Sequence, residues 1–141
     1  MIAQAIDTQA VREVLAETHA GRAIFPDVVR RMLASGVRSY FVDLIRGVDL
    51  VYFNDDTTLT EPLHMEYGPV AEEFSKSGII AAIRGAQSDE IRYPEFIRRA
   101  AAAGVTAYWA LLTGKRVIYF GREGDIHIEW FPGVRPAADR H

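Results

Sequence analysis

Apolar positions change their period several times along the chain. Val11, Val14 and Leu15, with Thr18, recur at helical spacing after Asp7 and Thr8, either of which can cap a helix. That helix should end near His19-Ala20-Gly21. Pro26 suits the first turn of a second helix, because its missing N–H has no partner there anyway. Val28, Val29, Met32 and Leu33 form its stripe, and Gly36 supplies the left-handed stop. The period then shortens. Ser39 to Ile45, rich in aromatic and β-branched residues, predicts a strand. Arg46-Gly47 predicts a turn, Val48 to Phe53 a second strand and Asn54 to Thr58 a polar loop. Leu63-His64-Met65-Glu66-Tyr67 alternates as a half-buried third strand does.

The same order follows again. A short helical segment is expected over 70–74, then a helix through Ile79, Ile80 and Ile83 to Gln87-Ser88. Pro94 opens the next helix and Gly104 closes it. Strands are expected over 105–112, 116–120 and 125–131. Phe25-Pro26-Asp27 returns as Tyr93-Pro94-Glu95, Arg30-Arg31 as Arg98-Arg99, and Tyr52-Phe53 as Tyr119-Phe120. The offset is 93 − 25 = 68 at the start and 119 − 52 = 67 later. Between the two His-x-Glu strands it is 127 − 64 = 63, which implies length differences in the loops.

The expectation is an α+β fold, a two-layer sandwich. Two tandem helix-helix-three-strand repeats, about 7–68 and about 75–132, share one antiparallel sheet with the helices on one face. Residues 1–132 form a single pseudo-symmetric domain, and 133–141 a flexible C-terminal tail.

Composition narrows the function classes. The 141 residues are 49% hydrophobic and 25% charged, as in ordinary soluble globular proteins. No apolar run reaches the length of a membrane span, and the first residues lack the basic and apolar regions of a signal peptide, so a cytoplasmic protein is expected. The absence of cysteine excludes disulfides, thiolate metal sites and cysteine nucleophiles. The net charge is −3, with six acids and no Lys or Arg between Val51 and Ser75. Such a balance disfavours nucleic acid as a partner. A helix–turn–helix followed by a hairpin could place residues 26–35 in a DNA groove, but Asp27 would then approach phosphates.

The sharpest chemical candidates are His64-x-Glu66 and His127-x-Glu129. Residues two apart on a strand point the same way. If the two strands meet, two imidazoles and two carboxylates could hold a divalent metal or work as acid and base. The simpler reading is polar residues alternating on the outward face of a sheet. Phe41 and Trp109 occupy equivalent strand positions, out of phase with Tyr40 and Tyr108. One aromatic set should face the helices and the other the open side, where it would serve a ligand or a subunit interface. The paired arginines, 30–31 and 98–99, read as anion binders or as partners of Asp27 and Glu95. No phosphate loop, dinucleotide fingerprint or nucleophile elbow is present.

Several of these residues also carry a family resemblance. Phe25-Pro26, Gly36, Tyr40, Asp43-Leu44 and Gly47 stand in the first half. Ala82-Ile83-Arg84, Gln87-Ser88, Tyr93-Pro94, Gly104, Tyr119-Phe120-Gly121 and His127-Ile128-Glu129 stand in the second. In this order they resemble the YdfO-like family, prophage-associated bacterial proteins of unknown function. The resemblance implies a compact two-layer fold and no activity, catalytic residue or cofactor. The sequence therefore predicts a non-catalytic module that binds a small molecule or protein, or a second copy of itself as a homodimer, through the open sheet face. Phe41, Trp109, His64, Glu66, His127 and Glu129 are its candidate residues, with no cofactor expected. The alternative is an enzyme built on the two His-x-Glu pairs.

Overall fold

The computed structural model describes residues 5–134. The expected tail lies, from residue 135 on, outside the described residues.

Among the described residues four helices and six strands follow in the order α1 (Thr8–His19), α2 (Phe25–Ala34), β1 (Val37–Asp43), β2 (Val48–Phe53), β3 (Thr58–Pro62), α3 (Lys76–Gln87), α4 (Tyr93–Ala102), β4 (Ala107–Leu111), β5 (Arg116–Phe120) and β6 (Ile126–Trp130). The six strands form one antiparallel sheet in the order β3-β2-β1-β4-β5-β6. The two halves therefore meet at β1 and β4, with Phe41 opposite Trp109. Helices lie over one sheet face only, as the α+β pattern requires.

Local chemistry sets the helix ends. Asp7 caps α1 by accepting the N–H of Ala10 at 3.0 Å, and Ser75 caps α3 by accepting that of Gly78. Pro26 and Pro94 sit in the first turns of α2 and α4. Gly36 and Gly104 follow those helices at φ +83° and +81°, where a side chain is strained.

Three expectations are corrected. β1 begins at Val37 and stops at Asp43, whose carboxylate accepts the N–H groups of Ile45 and Arg46 and turns the chain before Ile45. The third strand is Thr58–Pro62, not 63–67. The alternation of Leu63, Met65 and Tyr67 is real, because all three pack on the core. It records a strap lying against one surface rather than a ladder partner. Residues 70–74 are likewise extended strap, not helix. Ala71 and Ser75 donate their N–H groups to carbonyls of Ala101 and Ala103.

The strand correction also changes the spacing between the halves. α1 and α3 begin 76 − 8 = 68 residues apart, and α2 and α4, β2 and β5, and β3 and β6 keep that spacing at their starts. Leu50 pairs with Phe41 and Ile118 with Trp109, so the hairpins hold it too. The inferred slips to 67 and 63 do not occur. His127 corresponds to Leu59, and His64 has no histidine counterpart in the other half.

Candidate functional site

The sheet has two chemically different faces. Tyr40, Asp49, Val51, Tyr108, Val117 and Tyr119 point toward the helices and are buried. Phe41, Trp109, Ile118 and Phe120 point the other way and are half-buried. Phe41 meets Trp109 edge-on at 5.4 Å between ring centres, and the Trp109 indole N–H donates to Ser39. Tyr40 and Tyr108 are thus the aromatic set under the helices.

Between the two helix pairs lies a cavity of about 320 Å³, at the lower end of the range for small-molecule sites. Every helix contributes to it. Thr18 comes from α1, Pro26 and Val28 from α2, Ile83 and Gln87 from α3, and Tyr93 and Phe96 from α4. Tyr40, Tyr108, Val117 and Tyr119 form its floor. Phe25 and Phe131 meet edge-on at 5.2 Å on its wall.

Beside one end of this floor sits a buried polar pair. His19 Nε2 and Asp49 Oδ2 share a hydrogen bond of 2.8 Å, with the residues 5% and 1% exposed. Burial raises the Asp49 carboxyl above its usual range, more than the bond to His19 lowers it. The Tyr93 and Tyr108 hydroxyls share a hydrogen bond of 2.5 Å. Burial, with the Asp49 charge nearby, pushes the Tyr93 phenol well up. Burial, with Tyr93 and the same Asp49 among its neighbours, does so for Tyr108.

The other end carries His127 and Glu129. Glu129 accepts Arg84 at 2.7 Å and is hydrogen-bonded to His127 at 3.1 Å and to Gln87 at 3.4 Å. Burial opposes its ionisation, but these bonds and the Arg84 charge outweigh it and hold the carboxyl low. The His127 ring stacks on Tyr119 at 6.2 Å. This polar pair faces the helix layer, while Ile126 and Ile128, 51% and 39% exposed, face the open side. The expected outward placement of His127 and Glu129 is therefore reversed, because α3 reaches over the sheet edge with Arg84 and Gln87.

The two His-x-Glu pairs do not converge. β3 and β6 are opposite edges of the sheet, and His64 and Glu66 are exposed on the strap beyond β3. His64 instead lies near His19, at 5.9 Å between rings. Among the described residues, no group of three or more His, Cys, Asp or Glu is placed to hold a metal ion. The arginine pairs are engaged locally. Arg30 bonds Asp27, and Arg98 and Arg99 both bond Glu95, while Arg31 makes a two-pronged contact with Glu17.

Sequence reasoning missed His19, Asp49 and Tyr93. A signal was present for the first two. His19 falls four residues after Leu15, on the apolar stripe of α1, and Asp49 takes an inward position within Val48–Val51. Ionisable groups at core positions are costly unless paired.

A four-helix layer on a six-stranded antiparallel sheet, enclosing an aromatic cavity, thus defines this α+β protein. The chain belongs to the DUF1398 family, described as "Protein of unknown function (DUF1398)", whose model matches residues 21–129. No curated protein matches it. Among the described residues, no helix is long and apolar enough to cross a membrane.

Proposed function

We propose that this protein is a non-catalytic small-molecule-binding module whose site is the cavity between the helix pairs. One observation carries the reading. The cavity is walled mainly by apolar and aromatic side chains, yet Tyr40 and Tyr119 on its floor have hydroxyls without a hydrogen-bond partner among the described residues. An apolar chamber whose floor carries hydroxyls that no protein group satisfies suits an apolar ligand bearing a polar group. His127 and Glu129 then act as positioning residues, since their contacts hold the β6 edge to α3 beside the chamber.

The test uses the neutral fluorescent probe N-phenyl-1-naphthylamine. Ala86 lines the cavity on α3 and is otherwise exposed, so Ala86→Trp fills the space from the surface. Wild type should bind the probe saturably, and the variant should bind it about tenfold more weakly or not at all, with an unchanged melting temperature. Equal binding by both proteins would sink the proposal.

A second reading rests on the opposite face. Among the described residues no helix covers it, and it presents Ile126 and Ile128 beside Ile118, Phe41 and Trp109. Exposed apolar patches of this kind mark interaction surfaces. We infer that two copies associate through it. Sedimentation equilibrium should show a dimer that Ile128→Glu converts to monomer; a wild-type monomer at high concentration would end this reading. Within its family, we place the chain beside the YdfO-like, prophage-associated proteins that it resembles.

A further inference from the structure

The cavity's polar groups are not spread evenly, and their arrangement bears on the class of ligand. A second cavity, of about 10 Å³, is lined by Thr18, His19, Tyr40, Asp49, Tyr93 and Tyr108. Thr18, Val28, Tyr40, Tyr93 and Tyr108 also line the large chamber, so the two spaces adjoin at those side chains. The small one has room for about one oxygen atom with its hydrogens. Two polar atoms here lack a partner among the described residues: the Tyr40 hydroxyl and His19 Nδ1, and the second is buried. An unpaired buried polar atom costs about 1–3 kcal/mol, so a group that satisfies His19 Nδ1 is favoured at this spot.

The sign of the ligand's charge follows from what lines each end. No lysine or arginine lines the small cavity, and Asp49 does. Arg92, which lines the large chamber, pairs with Asp89, and Arg84 pairs with Glu129 on its wall. Burial and the neighbouring Asp49 charge already oppose ionisation of Tyr40, Tyr93 and Tyr108, and a buried ligand carboxylate would meet the same opposition.

We propose that the chamber takes a neutral, aromatic, ring-containing molecule bearing one hydroxyl or carbonyl oxygen, and that this oxygen seats at the deep end against the Tyr40 hydroxyl and His19 Nδ1. The inference rests on the cavity reading above. The rings of Phe25, Phe96 and Phe131 supply edges and faces for such a ligand, and Tyr40 and His19 supply a donor and an acceptor whose roles can exchange.

The experiment is displacement of N-phenyl-1-naphthylamine from the full chain at neutral pH by three compounds of one shape: naphthalene, 2-naphthol and 2-naphthoate. 2-Naphthol should compete at roughly three- to tenfold lower concentration than naphthalene, the worth of one hydrogen bond. 2-Naphthoate should be at least about tenfold weaker than 2-naphthol, because its charge is buried without a cation. Tyr40→Phe should erase the advantage of naphthol over naphthalene. Naphthoate binding as well as naphthol, or naphthol binding no better than naphthalene, overturns the inference. If Tyr40→Phe fails to fold, the wild-type series still decides. If Ala86→Trp blocks the probe but none of the three compounds displaces it, the cavity reading stands and this inference falls. If the probe is insensitive to Ala86→Trp, both fall.

Discussion

At the scale of single residues, two glycines with nearly the same backbone conformation separate conformational strain from crowding. Gly104 has φ +81° and Gly124 has φ +89°. A Cβ on Gly124 would meet nothing within 4 Å, whereas one on Gly104 would stand 2.2 Å from the Glu73 carbonyl oxygen on the strap. Gly124→Ala should therefore cost about 1 kcal/mol in urea unfolding, the strain of the left-handed region alone. Gly104→Ala should cost about 3 kcal/mol or more, since backbone must move as well. Equal losses would mean that the strap does not press on Gly104 in solution. The glycine was legible in the sequence as a helix stop. The chain crossing it was not, because residues 70–75 carry no pattern that names their neighbour.

At the scale of elements, the four helices rest on short local signals and the sheet on long-range ones. Asp7 and Ser75 cap equivalent helices, each by accepting one backbone N–H at 3.0 Å. Ser75→Ala should lower unfolding stability by about 1 kcal/mol, and Asp7→Ala by a similar amount. Guanidinium titration of each variant checks this, and a loss near zero would show the cap bond to be replaced by water. The third strand failed to announce itself for a contrary reason. Thr58 and Thr60 sit in an acidic, polar stretch that reads as loop, and their strand identity comes from pairing with Tyr52 and Leu50. Only the partner strand makes them a strand.

At the scale of the whole molecule, charge links the fold to pH with two opposing signs. Folding holds the carboxyls of Glu17, Glu95 and Glu129 below their ordinary 4.5, chiefly through arginine contacts, with burial opposing. Their stabilisation is complete above about pH 4.5 and is lost as the pH falls through the lower folded values. Asp49 is the reverse. Its folded value lies above 3.8, so its contribution is present below 3.8 and is lost as the pH rises through that folded value. Glu129 ties β6 to α3, so Glu129→Gln should melt below wild type at neutral pH. The gap should close as the pH drops below 4.5. Thermal melts across that range check the sign, and a gap independent of pH would assign the loss to packing rather than charge.

Periodicity alone determined the α+β class, the order of helices and most strands, and the out-of-phase aromatic pairs at 40–41 and 108–109. These are local properties, set by which side of each element must leave water. Periodicity also placed Leu63, Met65 and Tyr67 on one surface without distinguishing a strap from a strand, since both bury alternate residues. What the tertiary structure decided was adjacency. Putting β1 beside β4 sends β3 and β6 to opposite edges, which separates the two His-x-Glu pairs that looked like one site. The same placement gathers His19, Asp49 and four tyrosines from both halves of the chain. Their proximity comes from the closing of the helix layer over the sheet, a long-range packing event that no local spacing encodes.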